Sequence, residues 1–280
     1  MRLSKWEMGL GTHYSFPPET VAAVLYDNSN VNPKTVFITL YWWKRYDKEF
    51  AMESRWHWHP DTIRSKLFKC CGQLAERKAD KIVFDHFEEG QSQTFLAGID
   101  CVHFEWQEGR TDPGSRWYSH KSNGPGLSYE VCVDAVKDRI VWTNGPFPAA
   151  THDITIFRGG TKKNGPATWH KSSLFHKMIV EKRLVDDSGY AGEPDKVSIT
   201  LAGHLPQTKE LFTRIKSRGE SLFRAYKRLN IMGRVPFQHK GEQRGGSEEL
   251  GSEFWRNSGR NSCSVPFSGI FGPGVAGLIF

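Results

Sequence analysis

Long apolar runs are missing from this sequence: none approaches the roughly 20 residues a membrane-spanning helix needs, so no membrane helix is expected. The opening residues 1–11 lack the apolar core of a secretory signal, and no such signal is read there. Cysteine is sparse. The five cysteines (Cys70, Cys71, Cys101, Cys132 and Cys263) are odd in number and form no CxxC pair. That pattern argues against a disulfide framework and predicts reduced thiols in an intracellular protein. No internal repeat is visible, which argues against a solenoid. Acidic residues are outnumbered, 31 against 38 basic, for a formal net charge of +7. This balance is compatible with an anionic partner such as nucleic acid but does not require one.

What is present suffices for a core. The 280 residues are 38% hydrophobic and 13% aromatic, enough for one large domain or two smaller ones. Residues 1–34 are rich in turn formers and are read as a loosely ordered lead-in. Residues 35–90 read as helical. Pro60 and Asp61 suit a helix start, and Ile63, Leu67, Cys70, Cys71 and Leu74 recur at helical spacing. A shorter helix over 47–55 precedes them and gives a helix-turn-helix shape. On it Arg64, Lys66 and Lys69 could meet phosphates or simply be solvated. His57 and His59 alternate without a matching downstream pair and are read as aromatic packing, not metal ligands.

From Phe95 the period becomes strand-like. Residues 109–126 form a long basic loop with Arg110, Arg116 and Lys121, and 129–136 with 140–143 read as a hairpin turning at 137–139. A short helix capped by Thr151 ends near Gly159. Further elements are a helix over 172–180, a strand over 183–186 and a loop over 192–207. The helix over 208–230 should bury Leu211, Ile215, Leu222, Tyr226 and Leu229. It carries seven lysines and arginines against Glu210 and Glu220. The glycine-rich segment 233–280 is expected to be a poorly ordered tail.

Three acids, Asp100, Asp153 and Asp187, stand where an apolar strand ends or a helix begins, and Glu220 lies on a helix. Carboxylates drawn from separate elements to one sheet edge suit hard divalent cations, and a metal pair can activate a nucleophile while stabilising a leaving oxygen in phosphodiester cleavage. Spacing alone is weak evidence, because 31 acids supply many such sets. His103 faces away from Asp100 in an extended strand, and Asp186 competes with Asp187 for one role.

The local words are more specific. Ile99-Asp100-Cys101-Val102-His103, Tyr118-Ser119-His120-Lys121, Thr151-His152-Asp153-Ile154-Thr155-Ile156-Phe157, Asp187-Ser188-Gly189-Tyr190 and Arg218-Gly219-Glu220 follow one another in order. Over about 35–232 the chain resembles the DDE-superfamily endonucleases of PIF/Harbinger-type transposons. The resemblance implies an α/β fold: an RNase H-like mixed sheet with flanking helices over 91–232, preceded by a small helix-turn-helix-like region. It implies a metal-dependent DNA endonuclease or transposase that uses Mg²⁺ or Mn²⁺. Asp100, Asp153, Asp187 and Glu220 would be the catalytic and metal-binding acids. It also implies a nuclear location, DNA as partner, a separate Myb-like DNA-binding protein and an oligomer as possible partners, and no membrane. The alternative is a diverged, catalytically inactive DNA-binding or scaffold protein. Two departures favour it: Gly219 beside Glu220, and an unfamiliar C-terminal end after about residue 237.

Overall fold

The computed structural model describes residues 16–84, 94–105, 114–121, 123–159 and 173–233. The expected tail after 233 and the basic loop segments 109–113 and 161–171 fall outside these residues. No helix among the described residues is long and apolar enough to cross a membrane.

A small helical region comes first. Helix α1 (Pro18–Asp27) starts on a proline, whose missing N–H would be unpaired in the first turn anyway, and buries Val21 and Val24. It occupies part of the expected lead-in. The turn formers around Pro17 and Pro18 hid a helix start whose valines sit one turn apart. Helix α2 (Pro33–Arg45) is capped by the Asn32 side chain, which accepts from the Lys34 N–H at 2.9 Å. Val36, Ile38, Leu40, Trp42 and Trp43 are all buried, as suits a helix apolar on most sides. Helices α3 (Glu49–Trp56) and α4 (Pro60–Glu76) follow, joined through His57 in the left-handed region. Helix α4 buries Ile63, Leu67, Cys70, Cys71 and Leu74, as their spacing predicts. Arg64 pairs with Glu49 and Asp61, and Lys66 lies 5.3 Å from the centre of the Trp58 ring. Two of the three cations named for phosphate contact therefore have partners within the helical region. A short helix α5 (Lys78–Lys81) ends the region.

A mixed sheet with flanking helices follows, giving an α/β fold. Its strands are β1 (Phe95–Glu105), β2 (Tyr118–Ser119), β3 (Gly124–Asp134), β4 (Ile140–Pro148), β5 (Arg183–Asp186) and β6 (Val197–Ile199). Strand β3 pairs antiparallel with β1, β2 and β4, while β1–β5 and β5–β6 are parallel. β1 is thus central, with an antiparallel meander on one side and parallel strands on the other. The hairpin turns where the sequence predicts, but β3 begins within the expected loop and β4 runs on through Pro148. Strand β6 occupies part of what reads as a loop, because a three-residue strand leaves too little alternation to see.

Side-chain alternation divides β1 between two cores. Cys101 and Ile99 face helix α6 (Asp153–Arg158) and helix α7 (Leu174–Lys177), where Phe157, Leu174 and Tyr190 are buried. Gly98, Val102 and Phe104 face helix α8 (Pro206–Lys227), and this second core runs on into the N-terminal helices. A last helical turn is α9 (Asn230–Gly233). The buried stripe of α8 is Phe212, Ile215, Phe223 and Tyr226, while Leu211 is 37% exposed. Of the expected stripe, Ile215, Tyr226 and Leu229 are buried and Leu222 is partly buried, while Leu211 stands outside and Phe212 and Phe223 shift the buried face toward themselves. The aromatic residues Phe212 and Phe223 carry more apolar area than the leucines beside them, and their burial sets the helix face.

The approach of α8 depends on Gly98. A methyl group there would lie 3.1 Å from Ile215 Cγ2 and 3.3 Å from the Ile215 carbonyl oxygen. Gly98→Val should therefore destabilise the fold by overpacking, by about 1–3 kcal/mol, read as a lower denaturation midpoint with unchanged m-value. An unchanged midpoint would show that α8 does not rest on β1 this closely.

Candidate acidic site at the strand ends

Each of the three aspartates comes from a different element. Asp100 lies in the middle of β1. The parallel register pairs Ala97 with Leu184 and Gly98 with Val185; continued by two residues, it sets Asp100 beside Asp187, just beyond the end of β5. Asp187 accepts from the Gly189 N–H at 2.8 Å, which fixes it over a short 3₁₀ turn, Ser188–Tyr190. Asp153 opens α6, where its charge suits the positive helix end. The N-cap position is His152, without a side-chain cap, so Thr151 does not hold the role expected of it. A methyl group on Gly189 would stand 3.2 Å from Asp153 Oδ2 and 3.2 Å from Asp187 Oδ1. Those two oxygens are therefore at most twice that distance apart, and Gly189 is the small residue that permits it.

The electrostatics mark the same cluster. Burial pushes the Asp100 carboxyl up to about 6; Lys121 and the Cys101 N–H work against this, and the Asp153 and Asp187 charges reinforce it. Lys121 Nζ lies 4.0 Å from Asp153 Oδ2. The donor set fits a hard divalent cation in chemical type, since it is made of carboxylate oxygens crowded against like charge. In spacing it is open: among the described residues, no three His, Cys, Asp or Glu side chains are grouped closely enough to hold a metal ion.

Glu220 belongs to a different element, α8. It is exposed on α8, to one side of the stripe formed by Phe212, Ile215 and Phe223. His103 turns away from Asp100, as alternation predicts, and its Nδ1 pairs with Ser119 Oγ at 3.0 Å.

Two buried acids lie behind the cluster: Asp186, which the sequence sets in competition with Asp187, and Glu130, which was not anticipated. Asp186, 5% exposed, has an Oδ2 without a hydrogen-bond partner. Burial raises its carboxyl to about 9, and the Asp100 and Asp187 charges add to that. Glu130, fully buried, takes one bond from Trp142 Nε1 at 2.8 Å, and its Oε1 has no partner. Burial pushes it up to about 8. It pairs in register with Cys101, whose Sγ contacts the Tyr190 hydroxyl at 3.4 Å. The available signal was Glu130 itself, a lone charge in the apolar run Tyr129-Glu130-Val131-Cys132-Val133.

No protein-family model, curated protein or solved structure matches this chain.

Proposed function

We propose that this chain is a metal-dependent DNA endonuclease of the DDE type on an RNase H-like sheet. Asp100, Asp153 and Asp187 would hold Mg²⁺ or Mn²⁺. The observation that carries the reading is that Asp100, in β1, stands in register beside Asp187, just beyond β5, while Asp187 and Asp153 both border Gly189. Crevices beyond strand carboxyl ends are where open α/β sheets bind ligands. A mixed sheet with β1 at its centre supports the RNase H-like assignment. Divalent cations, when bound, supply stabilisation for the attacking and leaving oxygens of an in-line displacement. The chain's own part is to aim its carboxylates there and to meet the DNA backbone with the exposed cations of α8, among them Arg214 and Arg224. The PIF/Harbinger-type resemblance adds a nuclear location and a separate Myb-like DNA-binding protein to the proposal.

The test is nicking of supercoiled plasmid by the purified chain with Mg²⁺ or Mn²⁺. The wild type should nick and Asp187→Asn should not. Glu220→Gln tests the fourth acid of the resemblance: a loss equal to that of Asp187→Asn brings Glu220 into the site, and an unchanged nicking rate leaves it outside. A second reading, a catalytically inactive DNA-binding or scaffold protein, is favoured by the open spacing of the acids. It gains if the wild type binds DNA but never cleaves it.

A further inference from the structure

The turn after β2 places one cation beside the acids. β2 is only two residues long, yet it is fixed from two sides. Tyr118 and Ser119 pair with Pro125 and Gly124 of β3, and the buried Ser119 hydroxyl meets His103 Nδ1 on β1 at 3.0 Å. The side chain two residues further on, Lys121, therefore projects from an anchored base. Its ammonium lies 4.0 Å from Asp153 Oδ2; the lysine side chain is 62% exposed and the aspartate 19%. This is a reachable cation beside a half-buried carboxylate of the cluster. A salt bridge so exposed is weak and easily exchanged, and an ammonium on a flexible four-carbon stem can turn to another anion without moving the backbone.

We infer that Lys121 is the phosphate-contacting cation of this site, offsetting the Asp153 charge in the chain alone and turning onto a phosphate oxygen when DNA is bound. The inference rests on the nuclease reading above and adds the residue that receives the backbone beside the acids. Its reason is charge matching. Three aspartates repel a phosphodiester, and the rim needs a positive group that can leave the carboxylates when a hard cation takes them.

Two binding measurements on the full chain test this, neither needing cleavage. In Lys121→Ala, Mn²⁺ alone, titrated calorimetrically, should bind about two- to fivefold more tightly, because a competing cation has been removed from Asp153. DNA affinity should fall, and the slope of log K against log salt should become shallower by about 0.9, the loss of one phosphate contact. Lys121→Arg should restore the slope. Lys121 is exposed at a turn, so the alanine variant should keep the wild-type melting midpoint. If the wild type binds both Mn²⁺ and DNA, Asp100→Asn loses Mn²⁺, and Lys121→Ala matches the wild type in both titrations, the inference falls while the nuclease reading stands. If the wild type binds neither, both fall.

Discussion

Asp100→Asn is expected to abolish Mg²⁺-dependent cleavage while DNA binding survives or strengthens. The substitution keeps size and removes one negative charge. A neutral amide is a poorer ligand for a hard cation than a carboxylate, so cation occupancy should fall. If the stabilisation lost is several kcal/mol, with each 1.36 kcal/mol a factor of ten, the rate should fall by roughly a thousandfold or more. Less negative charge beside Asp153 and Asp187 also reduces repulsion of phosphate, so the dissociation constant should hold or decrease. Contacts from lysines and arginines remain, and binding should still weaken as salt rises. Plasmid nicking and a mobility-shift titration on the same preparations separate the two effects. If Asp100→Asn cuts as well as the wild type, the active site is not at this cluster.

Glu130→Gln should make the protein more stable at pH 8 than the wild type, with little difference near pH 4. Burial pushes this carboxyl from an ordinary value near 4.5 up to about 8. Below the unfolded value both states hold the proton and the shift has no effect on stability. Between the two values the unfolded chain ionises while the folded chain stays protonated, so the folded state binds more protons and stability falls as pH rises. The loss is complete once pH passes the folded value. At 1.36 kcal/mol per unit of pKa, the change across this window is on the order of a few kcal/mol. Glutamine cannot ionise and can still accept from Trp142 Nε1, so its share of the slope should vanish. Asp186 is raised for the same reason, to about 9, and should leave a residual slope of the same sign. Denaturant midpoints at pH 4, 6 and 8 measure this. An identical slope in both proteins would show that Glu130 is not the buried acid described.

The sequence by itself determined those elements whose pattern is local. Strong periodicity and a proline start located α4, and its buried residues Ile63, Leu67, Cys70, Cys71 and Leu74 are those the spacing selects. Alternation located β1 and turned His103 away from Asp100, and the strand Arg183–Asp186 has the limits read from its residues. Asp153 and Asp187 were legible for a similar reason, since each sits at an element boundary; Asp100, expected where a strand ends, lies instead in the middle of β1, because the strand runs on through Glu105.

Tertiary structure decided what depends on competition between neighbours. Which face of α8 is buried was settled by Phe212 and Phe223 against the sheet, and that choice leaves Leu211 and Glu220 outward. The helix Pro18–Asp27 is held by a core to which the sheet also contributes, so its flanking turn residues did not give it away. The nearness of Asp100 to Asp187 comes from parallel pairing between strands far apart in the chain, which no local pattern encodes. The Glu130 and Asp186 carboxyls are pushed above the ordinary carboxylate range chiefly because folding removes them from water, with neighbouring acids adding to it. Before that burial they are two carboxylates among 31 acids.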